Sequence, residues 1–243
     1  MRPHVPSLLL LLTLAACAGG DGGGKQVITG GNSSDRVISA AMQASMPDVA
    51  LRVSMEQVKQ DPHNALALAR QGDAYRALGR DREAAASYNA ALAIIPGETR
   101  SGIGLGMIQL RRDPAQAEAT FRQVLAAHPS DALALTGLGV ACDLQNQHAK
   151  AQSAYRAALA VQPGLREASV DLGLSLALGG DASAAVAMLQ PLANDGTANR
   201  RERDDFALAL QLAGRETEAR RILGEEMSDA DAAATLAAFR LLR

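Results

Sequence analysis

The sequence contains no tryptophan, and aromatic residues make up only 2 % of its 243 residues. A hydrophobic core therefore has to be built mainly from small and aliphatic side chains, and the hydrophobic fraction is 48 %. Because alanine and leucine fit between closely packed helices, this composition predicts an all-α fold. The formal net charge is −2, so the overall charge does not favour binding to nucleic acid or to an anionic membrane surface.

The N-terminus is typical of an export signal. Arg2 gives a positive start, and the apolar segment 8–14 is shorter than the ~20 residues that span a bilayer. It ends in Leu14-Ala15-Ala16-Cys17, which resembles the bacterial lipobox, where the cysteine is lipidated and the chain is cut before it. We therefore expect a cleaved signal peptide over residues 1–16 and a lipid anchor on Cys17. The alternative is an ordinary secretory signal cut near Ala16 or Ala18.

Only two cysteines are present, at positions 17 and 142. If Cys17 carries lipid, Cys142 has no partner for an intramolecular disulfide and is expected to behave as a small apolar core residue. Glycines dominate the segment after the lipobox, so residues 17–34 are predicted to form a flexible tether. The residue after the lipobox cysteine is Ala18 rather than aspartate. By the usual Gram-negative sorting rule, this favours the outer membrane, with the protein facing the periplasm.

The remainder of the chain repeats with a period of 34 residues. In the copy that begins at Ala65, small, aromatic and proline residues occur at fixed offsets: Gly72, Tyr75, Ala84, Tyr88, Ala91 and Pro96. The copy that begins at Ala132 has matching residues: Gly139, Cys142, Ala151, Tyr155, Ala158 and Pro163. This pattern resembles the tetratricopeptide repeat (TPR), in which each unit is a pair of antiparallel helices.

The repeat register divides the chain into units. We expect a degenerate repeat over residues 35–64, repeats over 65–98, 99–131, 132–165, 166–199 and 200–227, and a capping helix over 228–243. Leu236, Phe239 and Leu242 of that last helix are expected to cover the final apolar face, because terminal repeats need such a cap. The TPR resemblance implies about thirteen helices in a right-handed superhelix.

No arrangement of residues is typical of a catalytic or metal site. His4 lies in the predicted signal peptide, while His63, His128 and His148 are expected in solvated loops or turns without a second ligand at metal spacing. The segment 102–106 contains three glycines, as a phosphate loop does, but lacks its lysine and its preceding strand. We therefore expect no enzymatic activity, no cofactor, no metal and no small-molecule substrate.

The TPR resemblance implies a concave groove lined by the first helix of each repeat. Matching positions in three successive repeats are mostly apolar, and the residues expected to hold a protein partner are Ile103, Met107, Leu110, Val140, Leu144, Val170, Leu174 and Leu178. The wider set of groove positions also includes Arg100, Arg111, Leu133, Thr136, Asp143, Glu167 and Ala177. A contiguous apolar surface of this kind favours an amphipathic helix of a partner. The alternative is that a tight superhelix or the N-terminal segment already covers these residues.

The lipobox, the glycine-rich tether and the repeats together resemble the TadD-like TPR lipoproteins of the Tad (Flp, tight-adherence) pilus system. The most similar part is segment 205–215, which ends in Ala213-Gly214-Arg215, followed by a closing helix with the sequence 236–240, Leu-Ala-Ala-Phe-Arg. The resemblance implies a scaffold for pilus assembly, pilotin-like toward the secretin, with the secretin or other pilus subunits as partners. The alternative is another envelope TPR lipoprotein that assists assembly of outer-membrane proteins, secretion or cytochrome maturation.

Overall fold

The computed structural model describes residues 31–239, with side chains from residue 33 onward. The predicted signal peptide, Cys17 and tether residues 18–30 lie outside this part of the chain. Within residues 31–239 all the regular secondary structure is α-helical, as the composition predicts, and thirteen α-helices are joined by short turns. They are α1 Gly31–Gln43, α2 Pro47–Gln60, α3 Ala65–Ala77, α4 Asp81–Ile94, α5 Thr99–Gln109, α6 Pro114–Ala127, α7 Ala132–Asp143, α8 His148–Val161, α9 Arg166–Leu178, α10 Ala182–Ala193, α11 Arg200–Leu212, α12 Glu216–Gly224 and α13 Asp229–Phe239.

One predicted boundary needs correction. Residues 31–34 were expected in the tether, but they form the first turn of α1. The two residues after Gly31 and Asn32 are serines, and the apolar residues Val37, Ile38 and Met42 that follow recur at helical spacing. Ile38 is buried against α2 residues in a small cluster, and this packing stabilises α1 as a helix.

The helix starts follow from local sequence. Polar side chains accept hydrogen bonds from backbone N–H groups of the first turn at seven of these starts: Asn64, Glu98, Asp113, Asp131, Asp181, Asn199 and Ser228. These bonds satisfy amide groups that have no partner within the helix. Pro47 and Pro114 occupy first-turn positions, where the missing N–H costs nothing.

Glycine and aromatic residues determine how closely neighbouring repeats approach. The ring of Tyr88, on α4, is fully buried between Gly72 of α3 and Gly104 of α5. A Cβ atom at either glycine would overlap the ring, so only glycine permits this approach. The arrangement recurs one repeat later, with Phe121 between Gly106 and Gly137, and Gly139 packs in the same way on Tyr155.

The C-terminal repeats share one large hydrophobic cluster that extends from Cys142 to Leu236. Cys142 is buried as a free thiol, as predicted, and burial raises its pKa. Leu236 of α13 is buried in this cluster and Phe239 packs against it, so α13 covers the end of the repeat array. Leu242 lies outside the described residues.

None of the helices between residues 31 and 239 is long and apolar enough to cross a membrane.

Candidate protein-binding groove

An open cavity of about 820 Å³ lies along the first helices of successive repeats. Its floor is apolar and is contributed by α3, α5 and α7. Leu66 is 42 % exposed, Met107 44 % and Leu133 52 %, and the half-buried Ile103 and Val140 lie among them. Large apolar side chains are thus held in contact with solvent within one concave surface, which is typical of a partner-binding site.

The structure brings together four of the eight residues predicted for the groove. Ile103, Met107, Leu110 and Val140 all line the cavity, although Leu110 is nearly buried. They lie on, or directly after, the first helices of two successive repeats, α5 and α7. Leu66 and Leu133 also line the cavity, and both are the second residue of their helix.

The other four predicted residues do not line this cavity. Val170 is 3 % exposed and belongs to the C-terminal hydrophobic cluster, so it is a core residue. The physical reason is that α9 packs directly against α11, which contributes Phe206 and Leu210 to that cluster. Leu174 and Leu178 are partly buried on the same helix, and Leu144 is exposed outside the cavity.

A hydrogen bond and an ion pair hold the polar side chains at the α3 side of the groove in place. The carboxylate of Asp73 accepts a hydrogen bond of 2.7 Å from the Tyr88 hydroxyl and forms an ion pair of 2.6 Å with Arg100. Burial, together with the Asp73 charge, raises the pKa of the Tyr88 hydroxyl, which therefore remains a proton donor. The pair links consecutive repeats, since Asp73 is on α3 and Arg100 is on α5.

A second ion pair closes the C-terminal end of the groove. Arg201 of α11 reaches across to Asp171 of α9, with 2.5 Å between the guanidinium nitrogen and the carboxylate oxygen. Asp171 is buried while Arg201 is largely exposed. Burial raises the pKa of the Asp171 carboxyl, and the Arg201 charge acts in the opposite direction. Both residues line the cavity.

Carboxylates line the edge of the groove formed by the N-terminal ends of α5, α7 and α9. Glu98 caps α5 and Asp131 caps α7, each by accepting hydrogen bonds from backbone amides. Glu167 is the second residue of α9 and is exposed. All three line the cavity, and within residues 33–239 no ion pair is formed by any of them.

His148 is not the solvated turn residue that the sequence suggests. It is the first residue of α8 and is half-buried, with its Nδ1 atom 2.9 Å from the Asp143 carboxylate. The same carboxylate accepts hydrogen bonds from the hydroxyls of Tyr155 and Ser175, at 3.1 Å and 2.8 Å. This network joins α7, α8 and α9.

In the described part of the chain, no group of three or more His, Cys, Asp or Glu side chains is placed to hold a metal ion.

The helix pairs, the glycine–aromatic contacts and the concave surface define a helical-repeat protein. The profile of the tetratricopeptide repeat family matches residues 39–99, 111–151 and 145–195, and the chain belongs to that family. TPR folds generally act as protein-interaction scaffolds, because stacked repeats create an extended concave surface. No curated protein matches the chain significantly in sequence.

Solved structures with the same fold include several bacterial TPR proteins. PilW, described as a widely conserved type IV pilus biogenesis factor, is 23 % identical, with a TM-score of 0.64 over 88 % of this chain and 94 % of PilW. A TPR protein from Parabacteroides merdae is 13 % identical, with a TM-score of 0.62 over 89 % of this chain and 87 % of that protein. MamA from Desulfovibrio magneticus RS-1 is 22 % identical, with a TM-score of 0.58 over 66 % and 91 %.

Proposed function

We propose that this chain is a lipid-anchored scaffold of the bacterial envelope that holds a protein of the Tad/Flp pilus machinery in its groove. The observation that carries the proposal is the cavity floor, where Leu66, Met107 and Leu133 are exposed although each is a large apolar residue. Exposing these side chains is unfavourable unless a partner covers them. The favoured partner is the secretin, toward which the protein acts as a pilotin-like factor.

Three features support the place of this scaffold in pilus assembly. The lipobox at Leu14-Ala15-Ala16-Cys17 supports anchoring to the inner face of the outer membrane. The C-terminal repeat and closing helix resemble those of TadD-like lipoproteins. PilW, the pilus biogenesis factor, shares the fold over most of both chains, and this likeness supports a pilus role without identifying the partner.

Site-specific photo-crosslinking in the native envelope tests the proposal. A photoreactive amino acid replaces Leu133 inside the groove and, as the matched control, Val161, which is similarly exposed at the end of α8. We expect a crosslink to the secretin or to another pilus subunit from position 133 and not from position 161. A groove-specific crosslink to an outer-membrane-protein assembly factor or to a cytochrome maturation protein would instead support the alternative. Identical products from both positions would contradict a groove function.

A further inference from the structure

Charge in the groove is unevenly distributed. Five carboxylates and three guanidinium groups line the cavity, which leaves a net charge of −2. Two of the guanidinium groups, on Arg100 and Arg201, are already paired with Asp73 and Asp171. The cavity therefore presents more unpaired negative than positive charge.

The three carboxylates that form no ion pair within the described residues share one edge, where Glu98 lies in the field of Arg100 and Glu167 in that of Arg201. Glu98, Asp131 and Glu167 lie at the N-terminal ends of α5, α7 and α9, so each of three successive repeats contributes one. Among the described cavity residues, Arg76 is the one cation without an ion pair; it interacts with the Tyr88 hydroxyl and is in the last turn of α3, at the opposite end of a first helix. Glu98 and Asp131 partly serve the backbone as caps, whereas Glu167 accepts no hydrogen bond within the described residues and is exposed.

The apolar floor lies beside this edge. Leu133 is two residues from Asp131 in sequence, and Met107 lies further along α5 than Glu98. A ligand that buries its apolar side chains on the floor therefore places its flanking side chains against the carboxylates. A flanking acidic residue would be repelled there, whereas a lysine or arginine would be attracted and would neutralise the edge.

We propose that the groove selects an apolar protein segment flanked by lysine or arginine, with the apolar residues on the Leu66, Met107 and Leu133 floor and the basic residues on the Glu98, Asp131 and Glu167 edge. The inference rests on the proposed function, since it requires that a partner occupies the groove. It adds the chemical class of that partner. The apolar contact supplies most of the affinity, and the carboxylate edge supplies selectivity and orientation.

Peptide display on the purified full-length chain provides the probe. A library of random peptides is selected against the parent and against a variant with Leu133→Gln and Met107→Gln, which removes apolar floor without altering charge. We expect the parent, and not this variant, to enrich apolar peptides with an excess of lysine and arginine. Circular dichroism of the variant checks that it keeps its helices, since both replaced side chains are exposed.

The affinity of the best enriched peptide for variants of the carboxylate edge then measures how much that edge contributes to binding. Glu167→Lys should weaken its binding about tenfold at low salt, and Glu167→Gln about threefold. The matched control is Asp48→Lys, because Asp48 is also exposed, is also the second residue of its helix and lies outside the groove. This control should change the affinity less than about twofold, and added salt should reduce the difference between Glu167→Lys and the parent.

The possible outcomes separate the two proposals. Enriched peptides that are apolar but not basic, or that bind the Glu167→Lys variant as tightly as the parent, overturn the inference and leave the groove function standing. Peptides that bind the double glutamine variant equally well, or no enrichment at all, overturn both. If the parent self-associates and the double variant does not, the occupant is a second copy of the chain, and the inference is wrong.

Discussion

The backbone of Gly104 lies against the ring of Tyr88, although the two residues belong to different repeats. A Cβ atom on Gly104 would overlap the Cζ and hydroxyl end of that ring. Tyr88 cannot simply move away, because Gly72 contacts the other part of the ring and Asp73 holds its hydroxyl. The observed distance between α3 and α5 therefore requires that residue 104 carries no side chain larger than the hydrogen atom of glycine.

Gly104→Ala should lower the free energy of unfolding. Overpacking typically costs about 1–3 kcal/mol, which outweighs the roughly 1 kcal/mol that alanine gains over glycine within a helix. Urea denaturation measures the difference. The matched control is Gly224→Ala, at the end of α12, where a Cβ atom would meet no atom within 4 Å. If both variants were at least as stable as the parent, the close packing around Tyr88 would be refuted.

A charged residue should destabilise the protein when it is placed in the core and have little effect on stability when it is placed in the groove. Leu133→Glu should change the free energy of unfolding by no more than about 0.5 kcal/mol, since the side chain is exposed and a carboxylate is favourable in the first turn of α7. Val170→Glu should lower it by several kcal/mol, on the order of 3 or more, because the new carboxylate would be buried without a partner. Thermal and urea unfolding of the two variants test this difference. Equal stabilities would mean that α9 does not pack on α11 as described.

Asp205 should make stability depend on pH. Burial raises the pKa of its carboxyl from 3.8 to about 6. Its Oδ2 atom is buried without a hydrogen bond and lies 3.6 Å from Arg201. Between these two pKa values, the folded protein binds a proton that the unfolded chain does not bind. This group therefore makes the folded state less stable as the pH rises from about 4 to about 6.

Asp205→Asn removes the titrating group and should stabilise the protein at neutral pH. The expected gain in the free energy of unfolding is on the order of 1–3 kcal/mol at pH 7, and it should disappear below about pH 4. The measurement is the difference in the free energy of unfolding between the parent and Asp205→Asn across the pH range. The other carboxylates titrate equally in both proteins and cancel in this difference. A difference that is independent of pH would contradict the role of Asp205.

Anchoring should depend on the sulfur of Cys17. We expect the parent to be recovered with the membrane fraction and to incorporate labelled palmitate, and Cys17→Ser to lose both properties, because stable anchoring requires acyl chains that the hydroxyl does not receive. Cys142→Ser is the control, since it removes the other thiol, which is buried far along the chain. Palmitate incorporation into the Cys17→Ser protein would exclude the lipobox interpretation.

The sequence predicts the fold well because its determinants are local. Gly72 and Tyr88 have the same separation within their repeat as Gly139 and Tyr155, and in each pair the glycine backbone lies against the ring. The glycines at 104 and 137 are harder to interpret, since each contacts an aromatic residue of the preceding repeat. A signal exists nevertheless, because each of these glycines follows its aromatic partner, Tyr88 or Phe121, by the same interval in sequence.

The groove is predicted only in part, since its shape depends on angles between repeats. Thr136 and Val170 occupy the same offset in successive repeats and both are buried, yet Thr136 lines the cavity and Val170 does not. Val170 belongs to the hydrophobic cluster to which α11 contributes Phe206 and Leu210, and the repeat register contains no information about this packing of α11 on α9. The signal peptide, the lipid anchor and the outer-membrane location stay predictions.

The start of α1 at Gly31 limits where the groove can operate. If Cys17 is the lipidated residue, only residues 18–30 connect the bilayer to the first helix. A chain of this length spans at most about 45 Å even when fully extended. With that anchor, the first helix would start within about 45 Å of the membrane surface, and a partner would have to present the recognised segment near that surface. A secretin embedded in the same membrane meets this requirement, whereas a protein confined to the opposite side of the periplasm would have to extend toward it.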